Sequence, residues 1–133
     1  MNRSLHRLFR FLAPGLAALM VLSCRASTQL PLKSETVELP MNTERLVCHV
    51  RNIASSQQLS FHYGTSVQPY GTLATFRLIG DSFEIVLYNP EKASTYILDL
   101  YDMSKGDARE RAEKAYAIFA HSLSKEPSED CVN

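Results

Sequence analysis

Two runs in which apolar and polar residues alternate, Thr72 to Ile79 and Ser82 to Tyr88, stand on either side of Gly80-Asp81. Alternation of period two places successive side chains on opposite faces of a strand, and a glycine-led dipeptide between two such runs is a hairpin signal. Pairing outward from Gly80-Asp81 sets Leu78 opposite Phe83, Arg77 opposite Glu84, Phe76 opposite Ile85 and Ala74 opposite Leu87. The apolar pairs then share one face and the charged pair the other. A chain built around this hairpin is committed to an antiparallel sheet with one face to cover.

Two further strands and two helices extend the pattern. Leu59, Phe61 and Tyr63 alternate with Ser60 and His62, and Thr95 to Tyr101 follows a loop at Asn89-Pro90. Before them, Asn42 is suited to cap a helix over 43–58, in which Leu46, Val50, Ile53 and Gln57 fall on one side. After them, Ser104 and Asp107 form a near capping box, and Ala108, Ala112, Ala115, Phe119 and Leu123 make a stripe with Tyr116 beside it. That helix ends near Ser124, before Pro127. The expected fold is α+β, in the order α-β-β-β-β-α: an antiparallel meander of about four strands, with an N-terminal and a C-terminal helix packed on one face. Phe61, Phe76, Leu78, Phe83, Ile85 and Leu87 are expected to point inward.

The first residues belong to a different kind of segment. Arg3, Arg7 and Arg10 come without any acid and precede a mostly apolar run from Phe11 to Leu22. This is the layout of an export signal. Twelve helical residues would cover only about 18 Å of a hydrocarbon layer roughly 30 Å thick, too little for a membrane span. The run ends at Val21-Leu22-Ser23-Cys24, which resembles the lipobox of bacterial lipoproteins. The resemblance covers the first 24 residues and no domain family. It implies that the signal 1–23 is removed, that Cys24 is lipidated, and that the membrane is reached through this acyl anchor. Arg25 after the cysteine implies, by the same resemblance, an outer-membrane destination facing the periplasm. The alternative is ordinary cleavage nearby, for instance after Ala26, which leaves a soluble exported protein.

The expected domain organisation is therefore a signal peptide over 1–23, the lipidated cysteine and a flexible tether over 24–40, and a single α+β domain over 41–133. The whole chain balances 14 Lys and Arg against 14 Asp and Glu. Loss of three arginines with the signal leaves eleven basic and fourteen acidic residues, a net charge of −3, which does not suit nucleic acid or anionic lipid. With Cys24 acylated, Cys48 and Cys131 remain in an oxidising compartment and are expected to form a disulfide. It would close a loop of about 84 residues, for which chain entropy gives roughly 4 to 5 kcal/mol.

Signals for chemistry are sparse. His49, His62 and His121 fall on three different elements without metal-ligand spacing, so neither a metal nor a cofactor is expected. Asp99 and Asp102 are the one acid pair, more simply read as one solvated face and one turn. The expectation is a binding protein and no enzyme, with two candidate surfaces. One is the helix-free sheet face with Arg77, Tyr88 and Tyr101. The other is a loop from Gly64 to Gly71 with Gln68 and Tyr70. The partner would be an unknown envelope or toxin protein, which makes this an immunity or inhibitor protein. Alternatives are a structural or assembly accessory of the envelope, or a small soluble exported enzyme, recognisable by a pocket that gathers His62, Asp99 or His121.

Overall fold

The computed structural model describes residues 30–68, 71–90, 94–103 and 108–131. Five strands and two helices follow one another: β1 (Lys33–Glu38), α1 (Thr43–Ser56), β2 (Ser60–Gln68), β3 (Gly71–Ile79), β4 (Phe83–Tyr88), β5 (Thr95–Asp102) and α2 (Ala108–Leu123), with a short 3-10 turn at Glu129–Cys131. The strands form one antiparallel sheet in the order β1-β5-β4-β3-β2. The fold is α+β. The signal peptide, Cys24, Ser104 and Asp107 lie outside the described residues.

The expected order lacks one strand. Lys33–Glu38, within the span read as a flexible tether, pairs residue for residue with β5, from Lys33 opposite Leu100 to Glu38 opposite Thr95. The true order is β-α-β-β-β-β-α. Because β1 lies at one edge and β2 at the other, the intervening α1 carries the chain from one side of the sheet to the other. The strand escaped notice because an edge strand needs little apolar surface. Val37 is the one aliphatic residue in Lys-Ser-Glu-Thr-Val-Glu, and backbone pairing holds the rest.

The hairpin forms, but its register differs by two residues from the expected one. Leu78 faces Ile85, Arg77 faces Val86 and Phe76 faces Leu87. Gly80 N–H donates to the Phe83 carbonyl at 3.0 Å, so the two-residue turn is Asp81-Ser82 and not Gly80-Asp81. The reason is packing. A Cβ on Gly80 would lie 2.4 Å from the Phe83 ring, so this glycine is the floor on which the ring rests. A two-residue shift preserves the faces, and Arg77 still pairs with Glu84, now diagonally.

Asn42 caps α1 as expected, its side chain accepting from the Arg45 N–H at 2.8 Å. The buried residues of α1 are Leu46, His49, Val50, Ile53 and Ala54, while Gln57 lies beyond the helix at its C-cap. From α2, Ala112, Tyr116, Phe119 and Leu123 are buried. These join Phe76, Leu78, Ile85, Leu87, Tyr96, Leu98 and Leu100 of the sheet in one core. Phe61 packs on that core but is only half-buried, since β2 is the edge strand, and the Arg51 guanidinium lies 5.6 Å from its ring centroid. The Tyr116 hydroxyl donates to the Leu98 carbonyl at 3.1 Å, which fixes α2 over the centre of β5. Burial, and then Glu35 beside it, pushes this phenol's pKa up.

The tail returns along the outside of α1. Cys48 and Cys131 stand at disulfide distance, with Sγ atoms 1.97 Å and Cα atoms 5.6 Å apart. Asn52 lies beside them, its Nδ2 donating to Ser128 Oγ at 3.2 Å.

Two outcomes follow for stability. Gly80→Ala is expected to cost about 1–3 kcal/mol through the Phe83 clash, and Phe83→Leu in the same chain to recover part of the loss, as read by urea melts. Cys48→Ser and Cys131→Ser should each lower stability to a similar degree, with the double variant no worse than either; additive costs would show that the thiols are not partners.

Candidate functional site

Among the described residues, no helix covers one of the two faces of the five-stranded sheet. On that face, Ser34 of β1, Asp99 of β5, Val86 of β4, Arg77 of β3 and His62 of β2 lie in one row across the strands. The neighbouring row is Thr36, Ile97, Tyr88, Thr75 and Gly64. Leu73, Thr75, Glu84, Val86, Tyr88, Ile97 and Tyr101 are half-buried and Arg77 is exposed.

Asp99 departs from the reading of a solvated face, being only 3% exposed. A carboxylate removed from water needs donors, and hydroxyls supply them. Ser34 Oγ–H donates to Oδ1 at 2.5 Å and the Tyr101 hydroxyl to Oδ2 at 3.2 Å. Tyr88 of β4 lies near enough to feel the same carboxylate's charge. For both tyrosines, burial first and the Asp99 charge second raise the phenol's pKa, so both remain donors at neutral pH. Three strands thus converge on one acid. Ser34 belongs to the strand that sequence reasoning missed, which is why the burial of Asp99 was missed too.

Of the expected partner-binding residues, Arg77, Tyr88 and Tyr101 share this face. Gln68 ends β2 and its side chain lies outside the described residues, as does Tyr70. The expected loop from Gly64 to Gly71 is corrected: β2 continues to Gln68, whose register partner is Gly71. Repeated hydroxyl residues and a glycine hid an edge strand whose pairing is with the backbone of β3.

The candidates for chemistry are not brought together. Asp99 and Asp102 differ by an odd number of positions on one strand and so point to opposite faces. His62 is exposed and lies three strands from Asp99, roughly 14 Å away. His121 is exposed on α2. Among the described residues no group of three or more His, Cys, Asp or Glu is placed to hold a metal. No helix among them is long and apolar enough to cross a membrane.

A second feature lies at the end of α2. A groove of about 210 Å³ runs between Glu38–Met41 and Leu123–Pro127, with Arg45 in its wall. Glu38 is occupied by the Ser94 and Thr95 hydroxyls, at 3.1 and 2.7 Å. His49 of α1, 6% exposed, reaches the backbone of Leu123, Ser122 and Lys125. Its position between Leu46 and Ile53 in the helical repeat was the available signal for its burial.

The chain matches no protein-family model, and its comparison with curated proteins gives no sequence match.

Burial lowers the pKa of His49 below the ordinary 6.5, against an opposing pull from the α2 backbone, and the Arg45 charge adds to the lowering. The unfolded chain then binds a proton that the folded one refuses, so stability falls as pH drops below about 6.5. In His49→Gln, the loss of melting temperature between about pH 7.5 and pH 5.5 should shrink; an unchanged loss would assign the pH dependence to other groups.

Proposed function

We propose that this is a lipid-anchored protein of the bacterial cell envelope whose small domain binds a protein partner near the membrane and performs no catalysis. The observation that carries the reading is the helix-free face, where the Tyr101 hydroxyl donates to the buried Asp99 and Tyr88 of the neighbouring strand lies near the same charge. Aromatic side chains already fixed in place lose little entropy on binding, and tyrosine is enriched where partners contribute most affinity. Arg77, exposed and paired with Glu84, supplies charge at the side of this patch. An immunity or inhibitor protein acting on an envelope toxin or hydrolase is the specific form we favour.

Localisation rests on the arginine-flanked apolar run and Val21-Leu22-Ser23-Cys24. Acylation at Cys24 would anchor the domain through fatty chains, each buried CH₂ contributing about 0.8 kcal/mol. The Cys48 and Cys131 thiols at bonding distance suit an oxidising compartment.

Intact mass of the protein extracted from membranes tests the anchor and compartment. The expected species begins at Cys24 with added acyl mass, and two further thiols appear only after reduction. An unacylated chain cut elsewhere, with Cys48 and Cys131 free, would reject the reading. Growth of a deletion strain with and without toxin-bearing competitors then separates an immunity protein, missed only under challenge, from an envelope accessory, missed always.

A further inference from the structure

The two edges of the sheet differ in how they are protected. β1 is six residues long and carries Lys33, Glu35 and Glu38, the kind of charged side chains that keep an edge from pairing with another chain. β2 is nine residues long, Ser-Phe-His-Tyr-Gly-Thr-Ser-Val-Gln, and holds no Asp, Glu, Lys, Arg or Pro. Its one strand neighbour among the described residues is β3, and nine consecutive pairs with that neighbour run without a bulge. Residues 62–66 are exposed. One side of this backbone therefore presents N–H and C=O groups as a template for a further strand.

We propose that two copies of the chain join through β2, antiparallel, about a two-fold axis at Gly64, to make one continuous ten-stranded sheet. A two-fold axis perpendicular to the sheet keeps the helices of both copies on the same side, so inward residues must face inward residues. Full overlap of Ser60–Gln68 with its own copy then sets Gly64 opposite Gly64. In that register Ser60 faces Gln68, His62 faces Ser66 and Tyr63 faces Thr65. No like charges meet. On the helix side the pair is aromatic against β-branched, a favourable cross-strand combination. Tyr63, 39% exposed with its ring 5.0 Å from that of Phe76, would be covered by the second copy. A Cβ at Gly64 points out of the sheet on the helix-free side and meets nothing within 4 Å, so a side chain can be placed at the midpoint without a clash. The contact runs about 30 Å along the strands. It uses the edge and leaves the Asp99 face free, so it does not rest on the reading given above.

Disulfide trapping in the full chain, purified in detergent, tests the register. Opposed residues of an antiparallel pair have Cα atoms about 4.5–5.5 Å apart, within reach of a disulfide. Gly64→Cys should therefore give a covalent dimer under mild oxidation. Ser66→Cys and Ser60→Cys, each roughly 14 Å or more from its own copy, should give at least about tenfold less. A mixture of Tyr63→Cys and Thr65→Cys chains, opposed in this register, should also cross-link, which provides a second reading should Gly64→Cys not fold. Thr65→Lys should abolish dimerisation in sedimentation while leaving the circular-dichroism spectrum of the folded chain unchanged. A monomeric unsubstituted chain, or equal cross-linking at positions 60, 64 and 66, would overturn the proposal. So would an edge occupied by an extended segment of another protein, which has no reason to be centred on Gly64.

Discussion

A carboxylate taken out of water is costly unless donors meet it, and the buried Asp99 is met by the Ser34 and Tyr101 hydroxyls, with Tyr88 of the next strand beside it. Ser34 comes from β1, Tyr88 from β4 and Tyr101 from β5 itself. The same β5 presents Tyr96, Leu98 and Leu100 to the core, and its Leu98 carbonyl accepts from Tyr116 of α2. Polar satisfaction on one face and apolar burial on the other thus meet in a single strand. Removing either hydroxyl leaves the other to hold the charge. Removing β1 would expose both the acid and one edge of β5.

Topology explains how a short chain reaches this arrangement. β1 and β2 occupy opposite edges, and α1 must span the sheet between them, so its buried residues lie where all the strands can contribute to one core. The segment after α2 then returns along the outer side of α1, bringing Cys131 to Cys48. The N-terminal end of the described chain is thus held in the sheet and the C-terminal end on the helix layer. The pairing of Lys33–Glu38 with β5 also shortens whatever links the domain to the expected anchor at Cys24. In the proposed setting, the helix-free face would operate close to the membrane.

The core elements were legible because each buries a stripe or an alternating face. Phe76, Leu78, Ile85 and Leu87 alternate with polar neighbours, and Leu46, Val50 and Ile53 recur at helical spacing, so their places follow from period alone. β1 and the second half of β2 were illegible for the opposite reason. Edge strands are selected by backbone hydrogen bonds, to which Lys-Ser-Glu-Thr and Gly-Thr-Ser are as competent as any residues. The hairpin lay between these cases: its faces were legible, yet its register depended on the Phe83 ring resting on Gly80, a contact between residues of which only one suggests a turn.

What the sequence by itself determined is the set of inward faces, the hairpin, the capped first helix, and the expectation of export with Cys48 and Cys131 as partners. Those properties are local, or follow from compartment and count, and need no knowledge of what lies across the fold. Only the tertiary structure decided that residues 33–38 close the sheet, that Asp99 is buried, and that Tyr88 and Tyr101 lie beside it. Each depends on groups separated by many residues in the chain, as with Ser34 and Asp99, and a contact between distant polar residues leaves no period in the sequence to be read.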